Sequence, residues 1–273
     1  MADRRTTPHS GRVALETLRG QVNAAAFVPG QAMRVVVPVA DLRDAPGGAL
    51  DRQLLWGTGF VVVDRQGAWV FGQSDRGGYC GWLRADAVDA AAPPTHWVQS
   101  SATHAYPEAR TQAAPAVWLS HGSRLRLGQV QGAWASTDAG WVPAGHLRKL
   151  GDWVGDPVAV AVQFLGVPYL WGGNSAAGFD CSGLVQAALM ACGMECPGDS
   201  DQQRASGVEV AGDVQRGDLL FWKGHVAMVS GTDQIIHANG HSMNVALEGL
   251  NAAIARIAAE GLPVLARRRI LPG

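Results

Sequence analysis

Hydrophobic positions in the first 150 residues fall in short runs with no helical period. Val35-Val36-Val37, Gln53-Leu54-Leu55-Trp56, Phe60-Val61-Val62-Val63, Trp69-Val70-Phe71 and Tyr79-Cys80-Gly81-Trp82-Leu83 are strand-sized and separated by Gly, Asp or Pro. They predict a β-rich stretch, preceded by one short helix over 13–27 that stops at Pro29-Gly30. Ala90-Ala91-Ala92-Pro93-Pro94 reads as a linker. After Leu150 the pattern changes. Residues 158–165 form a helical apolar stretch closed by Gly166-Val167-Pro168. Leu184, Val185, Ala188, Leu189 and Cys192 then share one helical face, with Asp180 placed as N-cap and Gly193 as the left-handed terminator. Strands over 218–222, 225–229 and 234–237, a helix over 245–259 and a last strand near 264–266 complete an α+β unit.

The first half repeats itself. Gly57 and Gly122 open matching segments, and Gly67-Ala68-Trp69 matches Gly132-Ala133-Trp134, both at an offset of 65 residues. Gly81-Trp82-Leu83 then matches Gly140-Trp141-Val142 after a shorter loop. Two copies of one short-strand unit predict two small β domains. The resulting expectation is an N-terminal segment 1–29, β domains at 30–92 and 93–150, and an α+β domain at 151–273. The glycine and tryptophan spacing resembles bacterial SH3-like barrels, whose tryptophans would fill the barrel cores.

Composition narrows the function. The 273 residues carry 22 basic and 23 acidic side chains, a net charge of −1, and so lack the basic footprint of a nucleic-acid or anionic-membrane binder. The N-terminus has no apolar signal-peptide core and no run is long enough to span a bilayer, which predicts a cytoplasmic protein. Four cysteines in a chain of this length do not form a secreted disulfide framework. Cys192 and Cys196 have the spacing of a metal half-site. No second cysteine pair or close histidine pair completes it, so no metal or cofactor is expected.

Cys181 is the exception among the cysteines. It falls in the first turn of its helix, where unpaired N–H groups and the macrodipole favour a thiolate. Its own backbone N–H could help to hold an oxyanion. Cys192 and Cys196 read as packing residues, and Cys80 as barrel core. A thiol nucleophile needs a base, and the base needs an orienting group. Met228 to Gln234 reads as a hairpin centred on Gly231, which sets residues summing to 462 opposite one another. His225 and His237 satisfy that sum and become cross-strand neighbours.

Tyr169-Leu170-Trp171-Gly172-Gly173-Asn174-Ser175, Gly178-Phe179-Asp180-Cys181-Ser182-Gly183-Leu184, Gly217-Asp218-Leu219-Leu220-Phe221-Trp222, Gly224-His225-Val226-Ala227-Met228 and Ile236-His237-Ala238-Asn239 together resemble the NlpC/P60 cysteine peptidases. The resemblance covers roughly 151–273 and implies a papain-like α+β core with Cys181 as nucleophile, His225 as general base and His237 as its orienting group. With SH3-like domains in front, the chain resembles the γ-D-glutamyl-L-diamino acid endopeptidases that recycle murein peptides. In that subgroup Asp180 and Ser200 would hold the free amine of L-Ala, Tyr79 would close the pocket from the first SH3-like domain, and Tyr169 would line the cleft. Each has a plainer role as well: a helix N-cap for Asp180, a cap on a following helix for Ser200, barrel surface for Tyr79. Asp218 reads as a structural turn acid. Relatives often carry an acid where this chain has Thr58; if that acid assists amine recognition, either part of the support is missing here or another residue such as Asp44 supplies it.

The implied substrate is L-Ala-γ-D-Glu-L-diamino acid, with no nucleic acid, membrane or protein partner. Two other readings stand beside it: a papain-like amidase or acyltransferase acting on another substrate, and a non-catalytic cell-wall peptide binder.

Overall fold

The short apolar runs of the first half do fold as strands. In the computed structural model, which describes residues 3–270, the chain divides into two units, Met1–Leu150 and Gly151–Gly273. Met1 and Ala2, part of the N-terminus read above as leaderless, lie outside the described residues.

In the first unit one sheet has the strand order Leu50–Leu55, Val39–Arg43, Cys80–Arg84, Trp69–Ser74, Gly59–Gln66, Gln31–Val35, Val88–Asp89. Its alternating inward residues, among them Val35, Leu42, Leu54, Phe60, Val70 and Leu83, make one core. Residues 96–149 form three small sheets around a separate core that includes Val98, Leu119, Leu125, Ala135 and Val142. The internal repeat is written in the backbone. Gly67 and Gly132, 65 residues apart, both turn at φ 57°, a left-handed angle that favours glycine. Each copy also ends as strand, 3-10 turn and strand: Cys80–Arg84, Ala85–Ala87, Val88–Asp89, then Gly140–Pro143, Ala144–His146, Leu147–Lys149.

Two expectations for this half fail. Residues 13–27 are not a helix: Val13–Leu15 and Ala26–Val28 pair as parallel strands around a 3-10 turn at Glu16–Leu18. The cause is tertiary. Val13, Leu15 and Val28 pack on Val63, Phe71, Cys80 and Trp82, a second apolar face of the sheet. Arg12 is clamped to Asp64 at 2.7 and 2.9 Å. Burial alone would raise the Asp64 carboxyl, but its bonds to Arg12 and Ser10 hold it below the usual carboxylate range. The tryptophans are also less uniform than expected. Trp82 and Trp97 are buried, whereas Trp56, Trp69, Trp118, Trp134 and Trp141 are half-buried.

His121, buried beside Trp97 with Nδ1 near the Gln99 carbonyl at 3.1 Å, carries a stability consequence. Burial pushes its pKa down to about 4, against 6.5 in an exposed imidazole. Between those values the unfolded chain binds the proton and the folded one does not, so stability falls as pH drops through that window. The expected loss is about 3 kcal/mol between pH 7 and 4. Urea midpoints of the first unit should fall with pH in the native chain and fall less in His121→Gln; equal slopes would refute the assignment.

The second unit is a six-stranded antiparallel sheet with helices against it. Strand order is Val208–Glu209, Ala266–Arg269, Leu219–Trp222, His225–Gly231, Gln234–Asn239, Asn244–Gly249. Helices α1 (Pro157–Val162), α2 (Cys181–Ala191), α3 (Ser200–Gln203) and α4 (Leu250–Ala259) accompany it. Helix α2 is not half-apolar as its spacing predicted. Every residue except Met190 is buried, and its polar Gln186 is bonded to Asn174 at 3.2 Å and to the Cys196 carbonyl at 2.9 Å. The 245–259 helix is too long by one strand: Asn244–Gly249 pairs with Gln234–Asn239, and α4 starts only at Leu250. Asp218 is the structural acid expected, held by Arg269 at 2.7 and 2.8 Å and by the Gln215 amide at 2.7 Å.

Candidate active site

The start of α2 is fixed by close backbone packing. Asp180 is its N-cap: one carboxylate oxygen accepts from the Gly183 amide and from Ser182 Oγ at 3.1 Å, the other from the Gly172 amide at 3.1 Å. The Asp180 amide in turn donates to the Gly173 carbonyl at 3.1 Å. Space here is minimal. A Cβ on Gly173 would stand 2.6 Å from the Gly178 carbonyl oxygen, and one on Gly183 2.3 Å from that of Gly173. The glycines of the Trp-Gly-Gly and Asp-Cys-Ser-Gly segments therefore let two chain segments touch where the helix begins.

Cys181 is the first residue of α2 and is 7% exposed. Its Sγ lies 4.0 Å from the Gly224 carbonyl oxygen, beside the residue that precedes His225. His225 Nε2 is 2.9 Å from His237 Nδ1, with ring centroids 5.1 Å apart. The two imidazoles meet as expected, but in a different register. Met228 pairs with Ile236 and Val229 with Ile235, sums of 464 and not 462, because the turn lies at Thr232-Asp233, where Gly231 pairs with Gln234, and a bulge between Val229 and Gly231 takes back one position. A shift of two positions keeps both side chains on one face, so His237 becomes a diagonal neighbour.

Burial pushes the His225 pKa down to about 3 and the His237 pKa down to about 4. For His225, repulsion from His237 and Arg256 adds to this, and for His237 Glu248 opposes it. Both rings are thus neutral at physiological pH, the state a proton acceptor requires.

The remaining expected residues distribute as follows. Tyr169, half-buried, bridges to Phe179, and its phenol is pushed up to about 12 by burial and by the neighbouring Cys181 and Asp180. Ser200 opens α3 but does not cap it; Asp199 does, in a capping box with Gln202. The short helix is tied to the start of α2 by buried Gln203, whose Nε2 donates to the Ser182 carbonyl at 2.9 Å. Tyr79 is not barrel surface: it is 2% exposed within the first core of the N-terminal unit. Thr58 and Cys80 are buried in that unit, and burial drives the Cys80 thiol up to about 12. Cys196 is buried and Cys192 half-exposed. No group of three or more metal-ligating side chains occurs among the described residues, and no helix among them is long and apolar enough to cross a membrane.

Two residues escaped the sequence reading. Glu248 places Oε2 3.1 Å from His237 Nε2, with the N–H direction off the hydrogen-bond line, and Arg256 grips that carboxylate at 2.9 and 2.7 Å. The assumed 245–259 helix hid Glu248. The short apolar run Val245-Ala246-Leu247, bounded by Asn244 and Glu248, is strand-sized and was the available signal.

Residues 166–256 match the NlpC/P60 family, and residues 42–88 match the bacterial dipeptidyl-peptidase SH3 domain. A gamma-D-glutamyl-L-lysine dipeptidyl-peptidase of Bacillus subtilis is 28% identical over 217 residues, covering 69% of this chain and 72% of the relative. One of the same name from Bacillus cereus is 38% identical over 105 residues, 35% of this chain and 32% of its own length. In fold, the chain is similar to the crystal structure of an NlpC/P60 family protein from Bacillus cereus, with a TM-score of 0.78 and 23% identity over 89% of this chain and 100% of that one. This chain therefore carries the NlpC/P60 domain of a cysteine peptidase family, together with a bacterial dipeptidyl-peptidase SH3 domain.

Proposed function

We propose that this protein is a cysteine endopeptidase that hydrolyses the γ-D-glutamyl-L-diamino acid bond of short murein peptides bearing a free N-terminal L-Ala. The observation that carries the reading is Cys181 at a helix start, its sulfur beside Gly224, next to a directly bonded His225–His237 pair. The names of the two Bacillus relatives support the choice of bond.

In the mechanism, His225 takes the Cys181 proton and the thiolate attacks the γ-glutamyl carbonyl. The helix start favours the thiolate, and the Cys181 backbone N–H helps to hold the oxyanion. The diamino acid leaves as an amine after taking the proton from His225, and water hydrolyses the thioester with His225 again as base. His237 holds the His225 ring. The plainer roles of the other residues are compatible with binding. Asp180 is a buried carboxylate at the start of α2, adjacent to Cys181 in the chain, and its negative charge would pair with the ammonium. Ser200 would add an oxygen from the helix tied to α2, and Tyr169 would line the cleft. A free amine restricts the enzyme to fragments already released from the glycan, which supports a place in cytoplasmic wall recycling.

The test compares free and N-acetylated L-Ala-γ-D-Glu-L-Lys by mass spectrometry. Acetylation should lower kcat/KM roughly 10- to 100-fold, the worth of a charge-assisted hydrogen bond. Asp180→Asn keeps an N-cap but loses the charge. It should lose a similar factor on the free amine and discriminate little against the acetylated peptide. Equal rates on both peptides in the native enzyme would instead support an amidase or acyltransferase of other specificity. Tight binding with an unreactive Cys181 would support a binding protein.

A further inference from the structure

The carboxylate behind the histidine pair has a chemical consequence. His225 Nε2 and His237 Nδ1 are 2.9 Å apart, so one nitrogen must carry the hydrogen and the other must accept it. The histidine pair alone leaves the direction undecided, and the direction matters. If His237 donated, His225 would carry its own proton on Nδ1 and have no ring nitrogen free to take a proton from a thiol.

Glu248 breaks the tie. Its Oε2 is 3.1 Å from His237 Nε2, off the N–H line, and the negative charge of an ionised carboxylate at that distance favours the hydrogen on Nε2. It is kept ionised by Arg256, which bonds both of its oxygens and holds its carboxyl below the usual range. The strand Asn244–Gly249 and helix α4 supply the two partners, and they are joined directly at Gly249–Leu250.

We infer that Glu248 and Arg256 are positioning residues that extend the Cys181–His225–His237 set, fixing the His237 proton on Nε2 so that His225 Nδ1 remains the free base. This rests on the peptidase reading above. When His225 accepts the Cys181 proton, its Nε2–H continues to donate to His237 Nδ1, and no proton passes to Glu248. The negative carboxylate stabilises the imidazolium through His237. The charged or titratable groups that act on this pair are Glu248, Arg256 and His241, and Cys181 lies nearby with its sulfur beside Gly224.

The experiment uses the full chain and two readouts: hydrolysis of L-Ala-γ-D-Glu-L-Lys, and the pH dependence of Cys181 alkylation by iodoacetamide, which needs no peptide. Glu248→Gln should lower kcat about tenfold or more with KM within about twofold, since the tautomer and not binding is disturbed. The alkylation limb set by the imidazoles should move to lower pH, because the carboxylate that favours their protonated form is gone. Arg256→Met, which leaves Glu248 in place, should also lower kcat but move that limb to higher pH. It carries the test if Glu248→Gln fails to fold, as judged by circular dichroism. The double variant should have the kcat of Glu248→Gln alone. Folded variants with native kcat and an unmoved alkylation profile overturn the proposal. A native enzyme that alkylates at Cys181 but cleaves no peptide overturns the substrate reading, while the alkylation profiles still decide the role of Glu248.

Discussion

Cys181→Ala is expected to lower hydrolysis of L-Ala-γ-D-Glu-L-Lys by about four orders of magnitude or more, the scale on which removal of a covalent nucleophile acts. The fold should survive. The side chain is small, and the hydrogen bonds joining Asp180 to Gly183 and Gly172 involve groups that the substitution leaves intact. Melting temperature should therefore stay within roughly 3 °C of the native value, the shift that about 1 kcal/mol produces in a unit of this size. Residual turnover within a factor of about ten of native would show that the thiol is not the nucleophile, whatever its surroundings. Cys192→Ala is the control. That thiol is half-exposed near the far end of α2, where the dipole disfavours a thiolate, and burial and the Asp156 charge push its pKa up to about 11. Activity should be unchanged.

Gly183→Ala is expected to have the second largest effect, and through stability. The added Cβ would meet the Gly173 carbonyl oxygen at 2.3 Å and the Asp180 Oδ1 at 3.0 Å. Neither can withdraw cheaply: the carbonyl accepts the Asp180 amide, and Oδ1 caps the helix. The expected cost is about 1–3 kcal/mol, with a melting temperature lower by roughly 3–9 °C. Activity should fall further than stability accounts for, since the residue displaced is the helix start that places Cys181. Calorimetry together with kcat measured well below the melting transition separates the two. A normal melting temperature would mean that the contact between the two glycine segments is looser than the structure has it.

Legibility in the sequence followed the range of the interactions. Helix α2 was readable at both ends because its signals are local: Asp180 caps three residues ahead and Gly193 takes φ 75° just past the end. The repeat was readable because a 65-residue offset preserves the glycines at which the backbone must turn left-handed. The pairing of His225 with His237 was right for a reason only partly correct. The turn falls at Thr232-Asp233, beyond Gly231, and a bulge near Ser230 takes back one position; the net shift of two is even and happens to return both rings to the same face. An odd shift would have separated them.

The failures share a cause. Residues 13–27 form paired strands because Val13, Leu15 and Val28 find an apolar sheet face more than thirty residues away in sequence. Glu248 stayed hidden because Val245 to Ala259 contains enough helix-forming residues to mask a strand that exists only by pairing with Gln234–Asn239. Propensity is a weak prior where a neighbouring edge offers hydrogen bonds.

The sequence alone determined the nucleophile candidate, the helix that presents it, the two histidines and the family they resemble. All of these are set by short-range patterns of caps, glycines and residue order. Tertiary structure decided what those patterns cannot encode. It set the register that brings the imidazoles to 2.9 Å, the close approach that requires glycine at 173 and 183, and the meeting of Glu248 and Arg256 behind His237. Each depends on segments that become neighbours only when the sheet forms, and a chain read in one dimension carries no distance between them.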